Sequence, residues 1–209
     1  MNPTQYKPRR PEEFIGPAKD LAMVLERVSI RSIKSGEPVK VIIRGDPGIG
    51  KSALVDAFIE QLGANKWTTT KWNGTELNVD RINDWANRLC FKEIYGNYRV
   101  LRIEEVDKVN PVVQARLLTV LDDLPSNVAI IGTSNKELKD FDPRFQSRFQ
   151  VFQLKPPGAD QIAWLLKKFG LRKDDINRIA QFACGNVRLA LFDAQSALDE
   201  LAAFKGSNN

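Results

Sequence analysis

The sequence predicts an α/β chain: a parallel β-sheet covered by helices on both faces, followed by a small all-helical unit. Three observations carry that prediction. First, Gly45-Asp46-Pro47-Gly48-Ile49-Gly50-Lys51-Ser52 fits the phosphate-loop pattern G-x-x-x-x-G-K-[ST] at every fixed position. The apolar run 39–43 precedes it and the amphipathic segment 53–62 follows, which is the strand–loop–helix setting the pattern requires. Second, short apolar runs alternate with segments of helical period as far as residue 155. Third, past Pro156-Pro157-Gly158 only helical patterns remain. The expected division is a nucleotide-binding αβα domain over 1–155 and a helical domain over 156–209.

The elements follow in order. Residues 1–17 are rich in Pro, Arg and Lys, but Tyr6, Pro8, Phe14 and Ile15 are too apolar for a free tail. From Ala18 to Lys34, Leu21, Val24, Leu25 and Val28 recur at helical spacing, and Ser35-Gly36-Glu37-Pro38 ends the run. Val39 to Ile43 is the first buried strand. The helix after the phosphate loop stops at Gly63. Trp67 to Trp72 is Thr-rich and alternating, a strand, and Asn73-Gly74 is a turn. Val79 to Cys90 carries Ile82, Trp85, Ala86 and Leu89 on one helical face. Tyr98 to Ile103 is a strand that runs into Glu104-Glu105. Asn110-Pro111 opens a helix with proline in its first turn. Val128 to Ile131 and Val151 to Leu154 are the last strands. Three helices follow, at 159–169, 173–184 and 187–204. Leu165, Leu166, Ile176, Ile179, Leu189, Leu191, Ala194 and Leu198 are the expected core of this second unit. At about fifty residues it is small for independent stability, so it leans on the first domain. Gly206 to Asn209 reads as a frayed end.

Composition narrows the function classes. Of 209 residues, 43% are hydrophobic and 27% charged, as in a soluble globular chain. No apolar run is long enough to span a bilayer, and the polar, basic N-terminus lacks the apolar stretch of a secretory signal. Cys90 and Cys184 suit neither a zinc site nor a disulfide framework, which points to reduced thiols in a cytoplasmic compartment. There is no histidine, so Ser-His-Asp and Cys-His catalysis and His-ligated metals are excluded. The net charge of +5 permits a polyanionic partner such as DNA.

The phosphate loop states the chemistry. Its glycines let backbone N–H groups turn inward around a polyphosphate, and the following helix presents its positive end to the same anion. Asp46, Pro47, Gly48, Ile49, Gly50, Lys51, Ser52 and Ala53 are the expected nucleotide contacts. Lys51 reaches the outer phosphates, and Ser52 is a Mg²⁺ ligand. At the end of the third strand, Glu104 is assigned to the metal and Glu105 to the attacking water. Asn135, at the tip of the fourth strand, can orient that water or contact the γ-phosphate. Arg144 and Arg148 sit on the basic loop Asp142-Pro143-Arg144-Phe145-Gln146-Ser147-Arg148-Phe149, and Arg188 opens the last helix. Taken singly, each of these is an ordinary surface or turn residue. Following a complete phosphate loop in this order, they read together as a hydrolytic site.

That order resembles the AAA+ ATPases over essentially the whole chain, and within them the DNA polymerase sliding-clamp loader ATPase subunits. Tyr6-Lys7-Pro8-Arg9 with downstream Gly16 resembles their N-terminal Y-R-P-x motif. Glu104-Glu105-Val106-Asp107 resembles their D-E-x-D box, Ser147-Arg148-Phe149 their S-R-C motif, and Gly185-Asn186-Val187-Arg188 their G-D-x-R motif. The resemblance implies a three-layer P-loop AAA+ domain with a helical lid, and ATP and Mg²⁺ as cofactors. It implies that Tyr6, Pro8, Ile15 and Gly16 lie near the adenine, that Asn135 and Arg188 are the two sensor residues, and that Arg148 reaches a neighbour's ATP. It further implies a homo- or hetero-oligomer of AAA+ subunits acting on DNA and on a DNA-bound client, a sliding clamp or a helicase, away from membranes. Arg81, Arg88, Lys108 and Arg116 are the candidate DNA contacts.

Departures bear on the expectation. Glu104 stands where the family has Asp, adding a methylene where Mg²⁺ geometry is strict, which could slow hydrolysis. Phe149 replaces the Cys. Arg102 interrupts an apolar strand, and nothing in the sequence accounts for it. Clamp loaders carry a further helical collar, and this chain is expected to lack one. Three readings therefore stay open: a clamp-loader-like ATPase, a helicase loader or other DNA-associated remodeller, and an ATP-dependent assembly module with little turnover.

Overall fold

The computed structural model describes residues 2–89, 98–136 and 142–206. The strands are β1 (Val39–Arg44), β2 (Thr69–Asn73), β3 (Arg99–Glu104), β4 (Val128–Ser134) and β5 (Gln150–Gln153). They form one five-stranded sheet in the order β2-β3-β4-β1-β5. Every pairing is parallel. Helix α1 (Gly16–Ser35) precedes β1, and α2 (Lys51–Gln61), α3 (Val79–Arg88) and α4 (Pro111–Asp122) make the crossovers between successive strands β1 to β4. The one-turn helix α5 (Pro143–Gln146) precedes β5, and α6 (Ala159–Leu166), α7 (Lys173–Phe182) and α8 (Val187–Gly206) follow it.

Strand alternation sorts the core into two layers. Val41 and Ile43 of β1, Val100 of β3, and Ala129 and Ile131 of β4 pack against α1 and α2. Ile42, Leu101, Ile103, Val128 and Ile130 face the other way, against α3 and α4. Burial on both faces explains why these strands read as unbroken apolar runs. Phe58, 1% exposed, packs in the first layer and seats α2 on the sheet. Phe58→Ala is expected to lower stability by about 3–5 kcal/mol, read as a fall in the urea midpoint. An unshifted midpoint would remove Phe58 from the core.

The C-terminal helices build a third cluster, which takes in Ile15 and partly buried Tyr6 from the N-terminal segment. Tyr6 meets Phe169 edge-on at 5.8 Å between ring centroids. Those contacts are where the small helical unit gains the support its size demands. Leu189, expected in this core, is instead 42% exposed, because α8 turns Ala190 and Ala194 inward.

Element ends follow local chemistry. Asn110 and Asn78 accept hydrogen bonds from the backbone N–H groups of Val112 and Arg81 and so open α4 and α3. Gly36, at φ 71°, closes α1. β2 begins at Thr69 rather than Trp67, because the Asn65 side chain accepts from the N–H groups of Trp67 and Thr68 and folds that stretch into a turn. The helix expected over 159–169 ends at Leu166, and a 3₁₀ turn (Lys167–Phe169) completes it. Cys90, read as a thiol, and the expected frayed end beyond Gly206 lie outside the described residues. Cys184 is an exposed free thiol.

Candidate nucleotide-binding site

The loop between β1 and α2 is shaped by glycine. Gly48 and Gly50 take φ of 81° and 109°. A Cβ on Gly48 would lie 2.0 Å from Asn186 Oδ1, whereas one on Gly50 would meet nothing within 4 Å. The first is glycine for close approach as well as for φ; the second borders open space. The N-cap of α2 is Gly50, which has no side chain to cap the first turn. Its N–H donors are left for an anion. Lys51 is folded back on the loop, donating from Nζ to the carbonyls of Gly45 and Asp46 at 2.7 Å each. Burial pulls its ammonium below the usual value, Asp46 opposes that, and Arg188 adds to it.

Glu105 follows β3 in the left-handed region, at φ 53°. Its N–H donates to Thr133 Oγ1 at 3.3 Å. Its carboxylate accepts from Asn73 Nδ2 at 3.1 Å, Lys108 Nζ at 2.9 Å and Asn135 Nδ2 at 3.3 Å. The Asn73 bond, then Lys108, holds this carboxyl below its ordinary value of 4.5. The stabilisation these donors give is therefore present above pH 4.5 and lost as pH falls through the depressed value. Asn73→Ala is expected to move the Glu105 titration upward, followed by carboxyl ¹³C shift with Glu105→Gln to assign the signal. An unmoved titration would show that the amide does not govern it.

Glu104 faces the opposite side of β3, with Arg102. Arg102 Nη2 lies 2.9 Å from Glu104 Oε1, Lys71 Nζ lies 3.1 Å from Glu104 Oε2, and Arg102 Nη1 pairs with Asp56 of α2. The helical unit closes the other side. The Arg188 backbone N–H donates to the Gly48 carbonyl at 3.0 Å, and Asn186 caps α8 by accepting from Leu189 N–H at 3.0 Å.

A cleft of about 910 Å³ brings together Tyr6, Pro8, Ile15, the loop from Pro47 to Ala53, Glu104, Glu105, Asn135 and Arg188. Gly16 and Asp46 are not among its lining. Gly16 lies against the Gln161 side chain of α6, and Asp46 turns its carbonyl to Lys51. Arg148 lies elsewhere, bordering a small groove with Arg31, Lys40 and Gln150. Its Nε and Nη2 donate to the two carboxylate oxygens of Asp122 at 2.9 and 3.1 Å. Arg144 pairs with Asp142 at 2.9 Å. The candidate DNA contacts are engaged within the chain. Arg116 donates to Asn83, Arg81 to the Glu76 carbonyl, Arg88 to the Asp84 carbonyl, and Lys108 to Glu105.

Sequence reading missed Asn73, Asp56 and Thr133, and it gave no separate role to Asp107, the last residue of the acidic box, whose Oδ1 accepts the Asn135 N–H at 3.2 Å. Asn73 read as a turn residue; only the β2–β3 register, which pairs it with Glu104, brings it to the site. Asp56 carried a faint signal, lying one helical turn beyond Ser52 on the same face of α2. Ser52, Asp56 and Glu104 all border the cleft, and the oxygen donors of such side chains suit a hard divalent cation.

A family profile described as ATPase family associated with various cellular activities (AAA) matches residues 41–157. The chain is 26% identical over 209 residues to the replication factor C small subunit of Methanocella arvoryzae, covering 92% of this chain and 62% of that one. It is 28% identical over 193 residues to the Holliday junction branch migration complex subunit RuvB of Methanoregula boonei, covering 88% and 54%. It thus spans about three fifths or less of these relatives' lengths. Among solved structures, the Thermotoga maritima RuvB Holliday junction branch migration motor superposes with TM-score 0.77 at 19% identity, over 95% of this chain and 67% of that one. This last likeness concerns the fold.

Proposed function

The chain belongs to the AAA family of ATPases, and on that premise we propose that it binds ATP with Mg²⁺ at a seam between protomers and couples hydrolysis to loading or remodelling a protein on DNA, in the manner of a clamp loader. The observation that carries this reading is a division of labour. Lys51, Ser52, Glu105, Asn135 and Arg188 converge on one cleft, while Arg148 lies half-buried beside a separate groove.

Each residue has a task in this scheme. The loop N–H groups and the start of α2 hold the phosphates. Lys51 exchanges the carbonyls of Gly45 and Asp46 for phosphate oxygens. Ser52 and Glu104 would hold Mg²⁺, which when bound neutralises charge on the phosphate oxygens. Glu105 accepts the proton of the attacking water: Oε2 takes the Asn73 and Lys108 bonds, and Oε1, bonded to Asn135, keeps a lone pair for it. Asn135, hydrogen-bonded to the same carboxylate, orients that water. Arg188 carries the state of the phosphates into the helical unit through α8. Arg148 completes the site of the next protomer.

The net charge of +5 and the names of the relatives support DNA as the working surface. Among the described residues no helix is long and apolar enough to cross a membrane. A second reading, an assembly module with little turnover, gains support from the two cations already on Glu104. Phosphate release with and without primed DNA separates the readings. DNA-stimulated turnover supports the first, and ATP-dependent oligomers without turnover support the second. A chain that binds no ATP would refute both.

A further inference from the structure

Arg102 is the least expected residue of the sheet. It lies in β3 between Leu101 and Ile103, its side chain is 7% exposed, and it points to the α2 side of the sheet. One end of its guanidinium meets Asp56 and the other meets Glu104, while Nε is buried with no hydrogen-bond partner among the described residues. Stability alone gives little reason for it. A buried ion pair replaced by apolar side chains of similar volume is often neutral or stabilising, and the orphaned Nε adds a cost. The cation is explained better by the carboxylates it joins. Asp56 comes from the helix that carries Ser52, Glu104 from the strand end, and all three border the nucleotide cleft.

We infer that Arg102 is a positioning residue that acts as a resident counter-cation: it neutralises and holds Glu104 and Asp56 before metal binds and competes with the divalent metal for them. The inference rests on the reading of Ser52 and Glu104 as the metal side of an ATP site. The electrostatics have one sign. A fixed positive charge beside a divalent cation's carboxylates weakens the cation's binding; burial limits the screening between Arg102 and Glu104, whereas Asp56, 61% exposed, is the better-screened arm. Lys71, on the other Glu104 oxygen, is 54% exposed and so is the weaker, more easily displaced restraint. Arg102 thus lowers the dependence of nucleotide binding on metal and keeps two carboxylates from repelling an incoming polyphosphate.

The test uses the full chain and two probes: ATP affinity by calorimetry in excess Mg²⁺ and in EDTA, and Mn²⁺ affinity in the presence of ADP by electron paramagnetic resonance. Arg102→Met is expected to raise the metal-to-EDTA affinity ratio for ATP by about tenfold and to tighten Mn²⁺ correspondingly. Arg102→Lys, which keeps the charge, is expected to restore near-native values. Glu104→Gln added to Arg102→Met is expected to cancel the gain. A residue that only braced the fold would lower the melting temperature and leave the ratio unchanged or reduced; that result overturns the inference. Should Arg102→Met not fold, Arg102→Gln reads the same ratio. A wild-type chain that binds ATP in neither condition overturns the site reading itself, whereas normal binding with an unmoved ratio overturns only the role of Arg102.

Discussion

Replacing Arg148 with alanine is expected to lower steady-state ATP turnover by about 10³- to 10⁵-fold, the range for a guanidinium that stabilises phosphoryl-transfer charge. ATP affinity should change little, because Arg148 is not among the residues bordering the chain's own cleft. Its guanidinium is docked on Asp122 through two hydrogen bonds at the surface. An exposed pair of this kind contributes little to folding, so a large loss of turnover would have to come through chemistry. Mixing experiments decide where that chemistry occurs. A protomer with Arg148→Ala keeps an intact pocket, and one with Glu105→Gln keeps an intact Arg148. Mixed, they should recover turnover wherever the first offers its pocket to the second. Unchanged turnover in Arg148→Ala removes the trans role. So does a loss that mixing cannot rescue, or one that Asp122→Asn reproduces in full.

Glu105→Gln is expected to reduce turnover by about 10²- to 10⁴-fold while ATP stays bound, since the amide keeps the shape but cannot take the proton. Lys51→Ala should differ in kind. It removes the ammonium that rests on the Gly45 and Asp46 carbonyls and is proposed to turn to the phosphates, so ATP affinity is expected to fall along with turnover. The contrast is checked by calorimetry beside phosphate release. Equal loss of binding in both variants would mean that Glu105 grips the nucleotide rather than acting on water. Full turnover in Glu105→Gln would pass the proton-accepting role to another group, of which Asp107 is the nearest candidate on this loop.

The sequence was most informative where its code is local. The phosphate loop is a run of fixed residues whose backbone demands only glycine satisfies, so Gly48, Gly50, Lys51 and Ser52 could be assigned without a fold. The inner strands β1, β3 and β4 were visible because burial on both faces leaves them few polar residues, whereas the edge strands β2 and β5 showed only as short alternating runs. Strand and helix ends were less legible. At Thr69, and in the passage from Leu166 to Gly170, single side-chain hydrogen bonds and 3₁₀ turns set the boundary, and these leave no periodic trace. Leu189 misled because a helix with apolar residues on more than one face does not announce which face the core takes.

By itself, then, the sequence determined the layered α/β architecture, the phosphate cradle and the acidic strand end, because each is written in neighbouring residues. Only the tertiary structure decided that Asn73 meets Glu105, that Arg102 joins Asp56 to Glu104, that Asn186 and the Arg188 backbone close on Gly48, and that Arg148 is tied to Asp122 beyond the cleft. Those pairings depend on strand order and register, which bring together residues distant in the chain, and a carboxylate or guanidinium carries no mark in sequence of the partner that will neutralise it.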